Sequence, residues 1–210
     1  LENKSVIFKS KNKFTHTMEY KHFLETDTGQ RNGEKYLDYF VFPALEAKNM
    51  NSDLNALSIS TEEKFMEIFN KNSKISIEGG LNSGKTTLAK YLCIKLSEEY
   101  VPLLLTEEDF GSKNNKNVIR YALEEQYGAD ADFDEYLQLK EKIVLIVDRH
   151  DLIKTKRWDS FYKEFEGEFG HIILLCGMDW NINIKEKALE DLTENKFLYF
   201  KISPFYYAKR

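Results

Sequence analysis

The run Ile77-Glu78-Gly79-Gly80-Leu81-Asn82-Ser83-Gly84-Lys85-Thr86-Thr87 holds the residues with the clearest chemistry. Gly79, Gly84, Lys85 and Thr86 fit G-x-x-x-x-G-K-[ST], a spacing suited to gripping phosphate. The glycines let the backbone wrap tightly and aim successive N–H groups inward at anionic oxygens. The Lys85 ammonium reaches terminal phosphates, and the Thr86 hydroxyl can ligate Mg²⁺. A helix starting at this point adds its positive end to the same anion. The candidate phosphate contacts are therefore Gly79, Gly80, Asn82, Ser83, Gly84, Lys85, Thr86 and Thr87.

A second pole stands at Lys142-Ile143-Val144-Leu145-Ile146-Val147-Asp148, a hydrophobic strand ending in an acid. Open α/β sheets bind ligands at the carboxyl ends of their strands, so Asp148 is placed to share a magnesium shell with Thr86. Hydrolysis would also need a group that orients the attacking water. Arg149, His150 and Asp151 follow the strand. Asp151 is the candidate for the water-facing acid, and Lys85, Asp148 and Asp151 form the candidate catalytic set. His150 is an alternative partner of the terminal phosphate. Arg149 either neutralises phosphate charge or pairs with Glu107, Glu108 or Asp109. Asp179, just past the strand Ile172–Cys176, is a weaker candidate at the same edge or a loop cap.

The elements that must carry these groups alternate. Lys74–Ile77 reads as a strand. Thr86–Glu99 carries apolar residues at Leu88, Ala89, Leu92, Cys93 and Leu96, which is helical spacing. Strands are predicted at Val101–Leu105, Ile143–Val147, Ile172–Cys176 and Phe197–Ile202. Helices are predicted at Thr61–Asn70, Asn117–Tyr127, Phe133–Lys140, Asp159–Phe169 and Lys185–Leu192. Alternation of this kind predicts an α/β fold with a parallel sheet and right-handed crossovers. Tyr36–Leu45 is aromatic and is expected to pack on the core. Residues 1–34 are polar and lysine-rich and read as a linker or loosely attached segment, with 35–210 as the folded core. The start at Leu1 and the end in Pro204-Phe205-Tyr206-Tyr207 suggest a piece of a longer protein.

The chain has 210 residues, enough for one α/β domain. Its net charge of -5 gives no direct sign of nucleic-acid binding. Two cysteines, Cys93 and Cys176, form neither a disulfide framework nor a metal spacing, which suits a reducing cytoplasm. The apolar runs are too short to span a membrane.

These residues resemble P-loop NTPases of the additional-strand division, with Asp148 matching the Walker B acid. Among them the chain is similar to STAND ATPases of the NACHT-like and NB-ARC-like kind. The resemblance rests on Tyr36-Leu37-Asp38-Tyr39-Phe40-Val41-Phe42-Pro43 ahead of the loop, on Val147-Asp148-Arg149-His150-Asp151, and on the exit Ile202-Ser203-Pro204-Phe205. It implies a three-layer sandwich around a five-stranded parallel sheet of order 5-1-4-3-2. It also implies ATP or ADP with Mg²⁺ as ligands, slow turnover, and a switch that joins further domains and self-associates to drive signalling or antiviral defence. The chain departs from the pattern in having basic Arg149 after the Walker B acid and no sensor arginine. Two other readings stand beside it. Asp148-Arg149-His150 faintly resembles small-molecule kinases of the thymidylate type, and the missing glutamate suits a non-hydrolysing nucleotide-binding scaffold. The guanine-selecting Asn-Lys-x-Asp is absent, so adenine is preferred by default. Tyr39 or Phe40 either stacks on the base or packs in the core.

Overall fold

A computed structural model describes residues 14–26, 40–47, 58–111, 114–178 and 197–203. In chain order the elements are α1 (Met18–Glu25), β1 (Leu45–Ala47), β2 (Ser58–Ile59), α2 (Glu62–Phe69), β3 (Lys74–Gly79), α3 (Lys85–Leu96) and β4 (Val101–Leu105). They continue with α4 (Asn115–Tyr127), α5 (Phe133–Gln138), β5 (Ile143–Val147), α6 (Thr155–Phe165), β6 (His171–Gly177) and β7 (Leu198–Ile202). The helix starts follow from local chemistry. Thr61, Asn114 and Asp132 each accept a hydrogen bond from a backbone N–H of the first turn of α2, α4 and α5 respectively.

Every residue of β4 and β5 is buried. Alternation along the strands splits the core in two. Leu103, Leu105, Leu145, Val147 and Leu174 pack with α4, α5 and α6 on one face. Leu104, Val144, Ile146, Ile173 and Leu175 pack with α1, α2 and α3 on the other. Helices on both faces explain why these strands read as continuous apolar runs.

The sheet corrects one expectation. It has seven strands in the order β2-β1-β7-β3-β6-β5-β4 and is mixed, not five-stranded and all parallel. The parallel part runs β7-β3-β6-β5-β4, with Gly79 opposite Gly177 and Leu105 opposite Val147. β1 pairs antiparallel with both β7 and β2. These additions cover an edge that β7 would otherwise expose. Two or three residues are too short to carry a periodic signal. Helix α6 spans Thr155–Phe165, four residues earlier than the predicted start, because Trp158, Phe161 and Phe165 form its buried stripe. The predicted helix Lys185–Leu192 and the candidate Asp179 lie outside the described residues.

Within the segment 1–34, residues 14–26 pack against the rest. Phe14, Tyr20 and Leu24 are buried, and the Thr17 N–H donates to Gln126 O at 2.9 Å. Lys90, itself buried on α3, donates through Nζ to Phe23 O at 2.9 Å and Thr26 O at 3.2 Å. A lysine satisfying carbonyls at a helix C-terminus also complements the helix dipole.

The opposite edge is closed by side chains. Gln126 accepts from Leu104 N–H at 3.1 Å and donates to Leu104 O at 2.7 Å, standing in for a neighbouring strand. Pro102 has no N–H to offer, and its carbonyl accepts from the Tyr127 hydroxyl. Replacing Gln126 by Ala leaves two buried backbone groups without partners, so a loss of about 1–3 kcal/mol is expected. At roughly 2–4 °C per kcal/mol for a chain of this size, a thermal melt reads this directly.

Candidate functional site

The loop between β3 and α3 is shaped by backbone needs. Gly84 has φ 85° and caps α3 without any side-chain hydrogen bond to the first turn. Asn82 also lies in the left-handed region, at φ 58°. At Gly79 an added Cβ would sit 2.3 Å from Ser83 Oγ and 3.2 Å from Lys85 Cγ, so a larger residue would push the Ser83 side chain aside. The turn is closed by Ser83 N–H donating to Gly80 O at 3.2 Å. The first-turn N–H groups of α3 have no partner within the helix, which makes its start a site of positive potential.

The Lys85 ammonium folds over this loop and donates to Gly79 O and Gly80 O, each at 2.8 Å. Thr86 Oγ1 donates to Asp148 Oδ2 at 2.7 Å. That bond joins residues predicted from two separate motifs. Asp148 is 2% exposed, and its own N–H donates to Leu105 O at 2.8 Å, so the end of β4 fixes it. Burial raises the Asp148 carboxyl above the usual range. The Thr86 bond, the Arg149 backbone N–H and the Arg149 charge oppose this, while the Glu107 charge adds to it.

The other Asp148 oxygen, Oδ1, is buried without a hydrogen-bond partner. An orphaned carboxylate oxygen beside a threonine hydroxyl fits a hard divalent cation. Among the described residues no group of three or more acidic, histidine or cysteine side chains could hold a metal. Magnesium typically takes only one or two protein ligands and completes its shell with water and phosphate, so Thr86 and Asp148 suit it.

The residues after Asp148 separate. Arg149 stands at φ 52° and donates through Nη1 to Glu107 Oε1 at 2.9 Å. Asp151 accepts from Gly177 N–H through Oδ1 at 2.7 Å, which puts it at the tip of β6, opposite the last residue of β3. His150 is buried, with its ring edge-on to Trp158 at 4.4 Å between centroids. It is a core residue and stays neutral, its pKa lowered to about 3 by burial. Phe40 stacks on Tyr91 at 4.0 Å, whereas Tyr39 lies outside the described residues. Glu107 entered the sequence reading only as a partner for Arg149. The signal that marks it is an acid two residues past the end of a buried strand adjacent to that of Asp148.

No protein-family model matches the chain, and no curated protein matches it. The solved structures similar to it include the following two. One is AMPPCP-bound DnaA from Aquifex aeolicus, at 16% identity and a TM-score of 0.45, over 67% of this chain and 45% of that one. The other is described as an ATPase, at 15% identity and a TM-score of 0.36, over 89% of this chain and 80% of that one. The chain thus spans less than half the length of the DnaA chain. Neither likeness bears on function. The chain's own fold and site define an α/β domain with a strand–glycine loop–helix unit facing a strand-end acid. Among the described residues no helix is long and apolar enough to cross a membrane.

The buried histidines give a pH dependence. His16 is lowered to about 4 by burial and by the charge of Lys21, and His150 to about 3. Between about pH 6.5 and those values the unfolded chain binds protons that the folded chain does not. Stability is therefore fully present above about pH 6.5 and falls as pH drops, by up to about 1.4 kcal/mol per pH unit for each histidine. Urea melts from pH 7 to 4 should show this slope, and His150→Phe should flatten it.

Proposed function

We propose that this chain binds a magnesium–nucleoside triphosphate, ATP by preference, hydrolyses it slowly, and serves as the nucleotide switch of a larger STAND-like signalling or defence protein. The observation that carries the binding reading is the 2.7 Å bond from Thr86 Oγ1 to Asp148 Oδ2. This contact between the two sequence-predicted poles, on the helix that Lys85 opens, supports the reading. The loop amides and Lys85 would take the β- and γ-phosphates, with Gly79, Gly80, Asn82, Ser83, Gly84 and Thr87 forming the cradle. Thr86 and Asp148 would hold Mg²⁺, which when bound supplies charge neutralisation on the terminal phosphate oxygens. Lys85 would exchange its two loop carbonyls for phosphate oxygens, a bond between opposite charges. Asp151 would hold the tip of β6 against the pocket's far side through Gly177.

The switch role and the expected self-association rest on the aromatic segment before the loop, the Asp148–Asp151 spacing and the exit at Ile202-Ser203. Partners beyond nucleotide would be other domains of the full-length protein. Localisation to the cytoplasm follows from the same reading.

Calorimetry of Lys85→Ala against the wild type is the decisive measurement. Loss of a charged phosphate partner should weaken ATP by about 1.5–3 kcal/mol, or roughly 10- to 150-fold. An unchanged affinity would refute the assignment.

A further inference from the structure

We propose that Glu107 is the carboxylate that orients the attacking water, supplied from the end of β4 and held in place by Arg149. The proposal rests on the nucleotide-hydrolysis reading above and names the group that does its second task.

Three observations carry it. The first is placement. Asp148 N–H donates to Leu105 O at 2.8 Å, so the end of β4 is locked beside the metal-holding acid. Glu107 lies two residues further on, opening a 3₁₀ turn (Glu107–Phe110). That turn is fixed by Asp109 Oδ2, which accepts from Thr106 N at 2.7 Å and from Thr106 Oγ1 at 3.1 Å. The second is aim. Arg149 adopts a left-handed backbone, uncommon for a side chain of its size, and from there donates to Glu107 Oε1 at 2.9 Å. The third is what remains. Glu107 Oε2 is buried and has no hydrogen-bond partner. Among the described residues, the buried side-chain oxygens without partners belong to Ser83, Glu107 and Asp148 alone. They follow β3, β4 and β5 respectively, all at the carboxyl edge of the sheet.

A sealed carboxylate oxygen without a donor costs about 1–3 kcal/mol. A phosphate cannot relieve it, because its oxygens also accept and carry the same sign of charge. A water can, since it donates. Asp151 is less suited to the task, with Oδ1 already committed to Gly177 N–H. In the reaction the water oxygen bonds to the terminal phosphorus. The bond from that phosphorus to the bridging oxygen breaks, and its electron pair leaves on the nucleoside diphosphate. One water proton stays on the new phosphate, and the other passes by way of Glu107 to solvent.

The test compares Glu107→Gln, Glu107→Asp and Asp151→Asn with the wild type, each first checked by circular dichroism. Glu107→Gln should cut kcat about 100-fold or more with KM within about threefold. Affinity for a non-hydrolysable ATP analogue and for Mn²⁺, read by calorimetry and electron paramagnetic resonance, should also stay within about threefold. Nucleotide extracted after incubation with ATP should be ATP in Glu107→Gln and ADP in the wild type. Glu107→Asp should recover part of the turnover. Full turnover in Glu107→Gln, a parallel loss of Mn²⁺ affinity, or the ATP-retaining state in Asp151→Asn instead would overturn the assignment. A wild type that binds ATP but forms no ADP would overturn it too, while leaving the binding reading intact.

Discussion

The hydrogen bond between Thr86 and Asp148 is the contact on which the rest of the site depends. It requires the first turn of α3 and the end of β5 to meet at one level of the sheet. β6 lies between β3 and β5, so the contact reaches across one intervening strand. Leu105 O holds the Asp148 backbone from the other side, so the acid is gripped between its neighbours. A shift of one residue in the β4–β5 register would turn Asp148 to the opposite face of the sheet.

This arrangement trades stability for chemistry. Asp148 is buried enough to be reluctant to ionise, and one of its oxygens has no donor. Arg149 sits in a backbone region that side chains rarely adopt. Such costs are tolerated where the surroundings over-determine the geometry. Here the two core layers, with continuous apolar strands between them, provide that support. The buried side-chain oxygens without partners follow β3, β4 and β5 at the carboxyl edge, while the interior of the sheet is packed with aliphatic side chains.

Much of this was legible in the sequence because the chemistry demands fixed spacing. The glycine loop, the helix after it and the apolar strands at Val101–Leu105 and Ile143–Val147 stand where the residues predict. The two motif spacings predict that Thr86 and Asp148 share one site, and their side chains are hydrogen-bonded. What escaped was local or non-periodic. β1 and β2 are set by pairing with β7, not by their own two or three residues. The start of α6 at Thr155 is fixed by tertiary burial of Trp158. His150 looked like a site residue from its position after Asp148, yet its ring is packed into the core. Glu107 was hidden because an acid after a strand is common, and only the sealed environment of Oε2 sets it apart.

The treatment of β4 limits how the molecule can associate. Its outward-facing amide and carbonyls are already engaged by Gln126 and Tyr127, and Pro102 contributes no donor. A foreign strand approaching that flank finds no open ladder to extend. Continuous sheet growth between molecules is therefore closed off on the flank beside the acid-bearing strands, and any assembly there must proceed through side chains.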